Sequence, residues 1–290
     1  MTQMPIEVLL IDGTYELFRH FFAVPSRRND SGQEVGALRG VLGSVIGLLE
    51  QGATHVAVAT DHVISSFRND LWPGYKDGSD IDPDIAQQFK PLEEGLMALG
   101  VQVWPMIEFE ADDALAAGAA MASQDDRVHR VLICTPDKDL AQCVGGKVLQ
   151  WDRRKDLIFD RDAVIKKYSV PPESIPDYLA LVGDTADGFP GLSGWGPKSS
   201  ATILSHYQSI ELIPDDFQQW NVAVRVPKGW RQRWPTNATE RHCSKKSQRF
   251  VLTRQSQKTS MNLNGQARQQ PSKIFASLTV WMHWPDERGS

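Results

Sequence analysis

Three short apolar runs, each stopping at aspartate, constrain this chain more than any other feature. Val8-Leu9-Leu10-Ile11 ends in Asp12, His55-Val56-Ala57-Val58-Ala59-Thr60 ends in Asp61, and Val131-Leu132-Ile133-Cys134 leads through Thr135-Pro136 to Asp137-Lys138-Asp139. Unbroken apolar, β-branched runs of this length read as parallel strands buried on both faces. Open parallel sheets bind ligands beyond the carboxyl ends of such strands. Four aspartates on one rim repel each other at low dielectric, which is costly unless a cation sits among them. A divalent-metal site is therefore expected where these strands end.

The intervening sequence supplies helices. Residues 13–24 predict a helix with an aromatic face (Tyr15, Phe18, Phe21, Phe22) that core packing explains for most of its rings. Apolar residues recur at helical spacing over 37–49 and again over 85–99, each stretch followed by a glycine. A short strand is expected at 101–104, then an alanine-rich helix whose first turn is Glu110-Ala111-Asp112-Asp113. The helix dipole and capping account for one or two of those acids but not readily for three. Residues 148–151 and 157–159 read as a hairpin or sheet edge, followed by helices at 163–168, 177–182 and 198–206. The repeated strand-helix-strand order predicts an α/β fold, a mostly parallel sheet flanked by helices. A polar stretch between residues 62 and 91 is too long for an idle connection, and closure over a substrate is expected of it.

Nine acids now stand at strand ends or helix starts: Asp12, Asp61, Glu110, Asp112, Asp113, Asp137, Asp139, Asp184 and Asp187. Oxygen ligands without histidine or cysteine suit Mg²⁺ or Mn²⁺. Two such ions, about 4 Å apart, serve phosphodiester hydrolysis by activating water and stabilising both reacting oxygens. Directly after the last acids, Gly191, Gly194 and Gly196 precede a helix bearing Lys198, an arrangement that lets backbone N–H groups approach a phosphate. Nucleic acid is the leading substrate.

At this point the chain resembles the 5′ nuclease family, the 5′-3′ exonucleases and flap endonucleases found at the front of bacterial DNA polymerase I and as stand-alone proteins. The resemblance runs from about residue 6 to 214. It rests on Leu10-Ile11-Asp12-Gly13, Ser66-Phe67-Arg68, Gly74-Tyr75-Lys76, Glu110-Ala111-Asp112-Asp113, Thr135-Pro136-Asp137-Lys138-Asp139, Gly183-Asp184-Thr185-Ala186-Asp187 and the glycine loop. It implies a metal-dependent nuclease of DNA replication or repair that acts on 5′ single-stranded ends or flaps. It implies a PIN-like nuclease core over 1–175, a helical arch over about 62–95, and a helix-turn-helix DNA-binding element over 176–225. Asp12, Asp61, Glu110, Asp112 and Asp113 would surround a first ion, with Asp137 and Asp139 between the sites and Asp184 and Asp187 towards a second. Lys76 and Arg19 would hold the scissile phosphate, and Phe67, Arg68 and Tyr75 would contact DNA. The glycine loop would grip duplex phosphates, with a K⁺ ion under its carbonyls. The arch departs from the family where a second basic residue is usual, since Lys76 is followed by Asp77-Gly78-Ser79-Asp80.

Charge divides the chain of net −5. Residues 226–290 carry 12 Lys+Arg against 3 Asp+Glu, whereas residues 1–225 carry 19 against 33. The tail, with four of the nine tryptophans, shows no helical or strand periodicity. Back-translated with free codon choice, it admits a one-base-shifted frame from about Arg225 that reads as an amphipathic helix similar to the family's continuation. A frameshift origin is expected for these residues, with a basic DNA-binding arm as the alternative. No polymerase module follows, so a stand-alone member is expected. No stretch reaches the roughly 20 apolar residues of a membrane span, and the three cysteines lack zinc or disulfide spacing. A cytoplasmic protein with reduced thiols is expected. Two rival readings stay open: a PIN-like ribonuclease, which would lack the glycine loop, and a non-catalytic DNA-binding relic of the fold. A phosphatase using Asp12 as nucleophile would need an acid where Leu10 stands.

Overall fold

The apolar runs become adjacent strands. In the computed structural model, which describes residues 5–72 and 74–224, six strands form one sheet: β1 (Ile6–Asp12), β2 (His55–Thr60), β3 (Gln102–Pro105), β4 (Val128–Cys134), β5 (Val148–Asp152) and β6 (Leu157–Phe159). Their order is β3-β2-β1-β4-β5-β6, parallel throughout except for the β5–β6 hairpin. The chain builds outward from β1 in one direction through β3, then crosses to the other side of β1 for β4. Such a reversal opens a crevice at the carboxyl ends of the two central strands. Asp12 and the segment from Thr135 to Asp139 emerge there.

Strand alternation assigns the two layers. Val8, Leu10, Ala57, Ala59, Val131 and Ile133 face a layer made by α6 (Ala111–Gln124), whose alanines allow it to lie close to the sheet. Leu9, Ile11, Val56, Val58, Leu132 and Cys134 face the opposite layer, formed by α1 (Gly13–Ala23), α2 (Gly36–Glu50) and α5 (Phe89–Ala98). A third cluster packs α7 (Arg161–Tyr168), α8 (Ile175–Val182) and α9 (Pro197–Tyr207) beside the sheet, with α8 and α9 joined by the glycine loop.

One expectation changes. The helix expected over 85–99 is divided into α4 (Pro83–Ala86) and α5, because buried Gln88 accepts the Leu38 N–H at 2.9 Å near the start of α2 and donates to the Asp84 carbonyl at 2.6 Å. The stretch expected to form a helical arch carries α3 (Phe67–Leu71) on a strap, then α4 and α5. The strap is tied down at Val63 and Phe67, whose N–H groups donate to the carbonyls of Met106 and Glu108, both at 3.0 Å. Among the described residues, no helix is long and apolar enough to cross a membrane. The expectations for residues 226–290, frameshift product or basic arm, lie outside the described residues.

Candidate metal centre

Each acid is delivered by an identifiable piece of backbone. Asp12 closes β1 and caps α1: Oδ1 accepts the Tyr15 N–H at 2.8 Å, and Oδ2 accepts the Thr135 hydroxyl at 3.0 Å. Asp61, one residue beyond β2, accepts the Ala111 N–H at the start of α6 at 2.7 Å, while its own N–H donates to Thr14 Oγ1 at 2.8 Å. Asp137 accepts the Asp139 N–H at 2.9 Å, starting a short 3₁₀ turn (Asp139–Cys143). Asp184 and Phe189 exchange backbone hydrogen bonds of 2.7 Å across a tight loop that also presents Asp187. The Phe189 ring anchors that loop, buried and edge-on to Trp72 at 5.3 Å. Asp12, Asp61, Glu110, Asp112, Asp137 and Asp187 line one cleft of about 810 Å³.

The electrostatics call for cations. Burial lifts the Asp12 carboxyl from its ordinary 3.8 to about 7, with the charges of Asp61 and Asp137 pushing the same way. Asp61 is pushed up to about 6 by burial and Glu110 against the opposing pull of Lys76. Asp112 rises well above the carboxylate range through burial, Asp137 and Asp12. Asp137, although its side chain reaches solvent at the mouth, is raised by desolvation in the cleft and by Asp187 and Asp184. Beside it, Asp139, Asp184 and Asp187 offer carboxylate oxygens that all lie within 4.8 Å of one another. Asp139 is raised by burial and by its three acidic neighbours, and its buried Oδ1 has no hydrogen-bond partner among the described residues. An orphaned buried carboxylate oxygen is expensive to keep. A hard divalent cation supplies the partner it lacks, so these residues fit such an ion.

The basic and aromatic candidates divide. Lys76 reaches into the acids, with Nζ 2.8 Å from Asp187 and 3.4 Å from Glu110; those charges and Asp61 outweigh burial and hold it protonated. Arg68 lies inside the fold rather than on its surface. It is 2% exposed and makes a two-point pair with Asp113 at 2.7 and 3.0 Å. Both Asp113 oxygens are thereby committed, and Oδ2 also accepts the Glu110 N–H at 3.1 Å as half of a capping box. Asp113 thus serves as counter-ion and helix cap, and it is not among the residues lining the cleft. Tyr75 is 5% exposed, lines the cleft and donates its hydroxyl to Glu110 at 3.1 Å. Phe67 packs on the core beside Phe109, with ring centroids 5.6 Å apart. Arg19 pairs with buried Glu16 on its own helix and is not among the residues lining the cleft.

In the glycine loop, Gly191 has φ +66° and backs onto Gly183, whose backbone nitrogen leaves no room for an added Cβ. That glycine serves chain packing. Gly194 (φ +84°) and Gly196, the N-cap of α9, leave Lys198 exposed on its first turn. Ser66, Thr135 and Lys138, which lies 2.9 Å from Asp184, stand inside the quoted motifs but had no role assigned from sequence. Ser66 carried a local signal, since Ser-x-x-Asn is a capping pattern, but its bond to Glu110 is a tertiary contact.

Comparison with known proteins bears on this geometry. A family model described as 5′-3′ exonuclease, N-terminal resolvase-like domain, matches residues 7–169, and one described as 5′-3′ exonuclease, C-terminal SAM fold, matches 170–268. The chain is 34% identical over 213 residues to a 5′-3′ exonuclease of Aquifex aeolicus, covering 73% of each chain. It is 35% identical over 219 residues to DNA polymerase I of Mycobacterium leprae, covering 73% of this chain but 24% of that protein. Among solved structures, T5 5′-exonuclease with bound zinc gives a TM-score of 0.73 at 15% identity, covering 95% of this chain and 98% of that one. The catalytic core of Rad2 in complex with DNA substrate gives 0.54 at 14% identity, covering 97% and 89%. These two are likenesses of fold.

Proposed function

The chain belongs to the 5′-3′ exonuclease family, and from that premise we propose that it hydrolyses phosphodiester bonds of DNA at 5′ single-stranded ends or flaps, using two divalent ions, Mg²⁺ or Mn²⁺. The observation that carries this reading is the convergence of Asp12, Asp61, Asp112, Asp137, Asp139, Asp184 and Asp187 on the carboxyl edge of the sheet, with a buried carboxylate oxygen left without a hydrogen-bond partner among the described residues.

Asp139, Asp184 and Asp187 would hold one ion. Asp12, Asp61, Glu110 and Asp112 would hold the other, with Asp137 between them. When bound, such a pair supplies activation of water and stabilises charge on the attacking and leaving oxygens. The chain's own groups do the rest. Thr135 and the Tyr15 N–H orient Asp12, and the Ala111 N–H orients Asp61, so the acids are held in place before substrate arrives. Lys76, protonated at the edge of the cleft, is placed to neutralise the scissile phosphate. Lys198 and the N-terminus of α9 would take duplex phosphates, with K⁺ under the loop carbonyls as the family resemblance implies.

The test is substrate polarity. With Mg²⁺, a 5′-flapped DNA duplex is expected to be cut near the junction, while the matching 3′ flap and an all-RNA flap are left largely whole. Preferential cutting of the RNA would favour the ribonuclease reading instead.

A further inference from the structure

The Glu110 carboxylate is gripped by one short stretch of the strap, residues 66–76. The Ser66 hydroxyl donates to Oε1 at 2.6 Å, and the Arg68 guanidinium lies 3.5 Å from the same oxygen. The Tyr75 hydroxyl donates to Oε2 at 3.1 Å, with the Lys76 ammonium 3.4 Å away. Arg68 is fixed in turn by its two-point pair with Asp113, and Asn69 Nδ2 donates to the carbonyls of Tyr75 and Lys76 at 3.2 and 3.1 Å, folding the stretch back on itself. These partners converge on a side chain that is itself 3% exposed.

We propose that Ser66, Arg68 and Tyr75 are positioning residues that fix Glu110 as a metal ligand, with Asp113 acting through Arg68. In this assignment Ser66, Arg68 and Tyr75 set metal affinity rather than contact DNA. The inference rests on the metal centre proposed above. Ser66 and Arg68 claim Oε1, which turns Oε2 towards the cleft. Tyr75 then fixes Oε2 in that direction, and the cation beside it is the Lys76 ammonium, occupying the kind of place a divalent ion would take. Outer partners of this sort set the orientation of metal ligands, and losing one typically weakens metal affinity by about 10- to 100-fold.

The experiment uses the full 290-residue chain without DNA. Wild type, Y75F and S66A are titrated with Mn²⁺, and free Mn²⁺ is followed by electron paramagnetic resonance. The dissociation constant of a bound ion is expected to rise about 10-fold or more in both variants, with circular dichroism unchanged. Excess Mn²⁺ should then restore flap cleavage towards the wild-type rate, a rescue that a folding defect does not show. R68M would strand Asp113 without its counter-ion and is replaced by R68K, which keeps the charge, loses the two-point geometry and should also weaken Mn²⁺. Mn²⁺ binding by Y75F and S66A as tight as wild type, or tighter, would overturn the assignment while leaving the metal centre standing. A wild-type chain that binds no Mn²⁺ would overturn both.

Discussion

Removing divalent ions should make stability fall as pH rises from 5 to 8. The main cause is Asp12, whose carboxyl is lifted from 3.8 to about 7 in the fold. A raised folded-state pKa favours the protonated form, so its contribution is complete below the unfolded pKa and is lost as pH climbs through the folded one. Raising a pKa by one on folding corresponds to about 1.4 kcal/mol, which makes the Asp12 contribution on the order of 4 kcal/mol, lost between about pH 4 and 7. Asp61, at about 6, acts in the same direction. Its charge is also one cause of the raised Asp12 value, so the two contributions overlap rather than add. About 3 kcal/mol of this is lost above pH 5, which for a domain of this size corresponds to a fall of roughly 8 °C in Tm. Melting followed by circular dichroism in EDTA at pH 5, 6, 7 and 8 should show that fall, and millimolar Mg²⁺ should flatten it by neutralising the ionised acids. His20, which burial holds below its ordinary pKa, works in the opposite sense, so D12N is the control that isolates the cleft. A slope that is unchanged in D12N, or that Mg²⁺ does not alter, would refute the reasoning.

Three substitutions separate the roles assigned to the acids and the strap. D113N leaves Arg68 buried without its full counter-charge and should cost about 3–5 kcal/mol in urea unfolding, with the number of bound Mn²⁺ ions unchanged. D139N relieves like-charge repulsion in a crowded triad; the EDTA form should melt at or above wild type, while calorimetry finds one Mn²⁺ ion fewer. G188A places a side chain at φ +70° with its Cβ driven into the Gly74 carbonyl oxygen. About 1–2 kcal/mol of stability should be lost, and hydrogen exchange should quicken at residues 74–78, where wild-type exchange rates would contradict the contact.

The sheet and most of its acidic rim were legible because both depend on local pattern. An apolar run that ends in aspartate fixes a buried strand and the end at which its carboxylate emerges. Asp12, Asp61, Asp137 and Asp139 accordingly stand where those runs placed them, and the β5–β6 hairpin formed where two short β-rich runs flank a charged turn. What was not legible depends on partners distant in sequence. Asp113 looks like the third acid of a metal motif until Arg68, 45 positions earlier, pairs with both of its oxygens. Tyr75 looks like a stacking residue until its hydroxyl meets Glu110, and Arg19 looks like a phosphate ligand until Glu16 takes its charge. The break between α4 and α5 has the same origin, since the Gln88 side chain is used to bind a helix start 50 positions away.

The central claim is that these carboxylates hold divalent ions that cut DNA at 5′ structures. Its most direct test is cleavage of a 5′-end-labelled DNA flap by the wild-type chain and by D137A, each with Mg²⁺ and with EDTA. The account predicts labelled product released near the junction by the wild type in Mg²⁺ alone, and none in the other three reactions. Cutting that survives EDTA or the loss of Asp137, or a wild-type chain that binds the flap and leaves it intact in Mg²⁺, would contradict it.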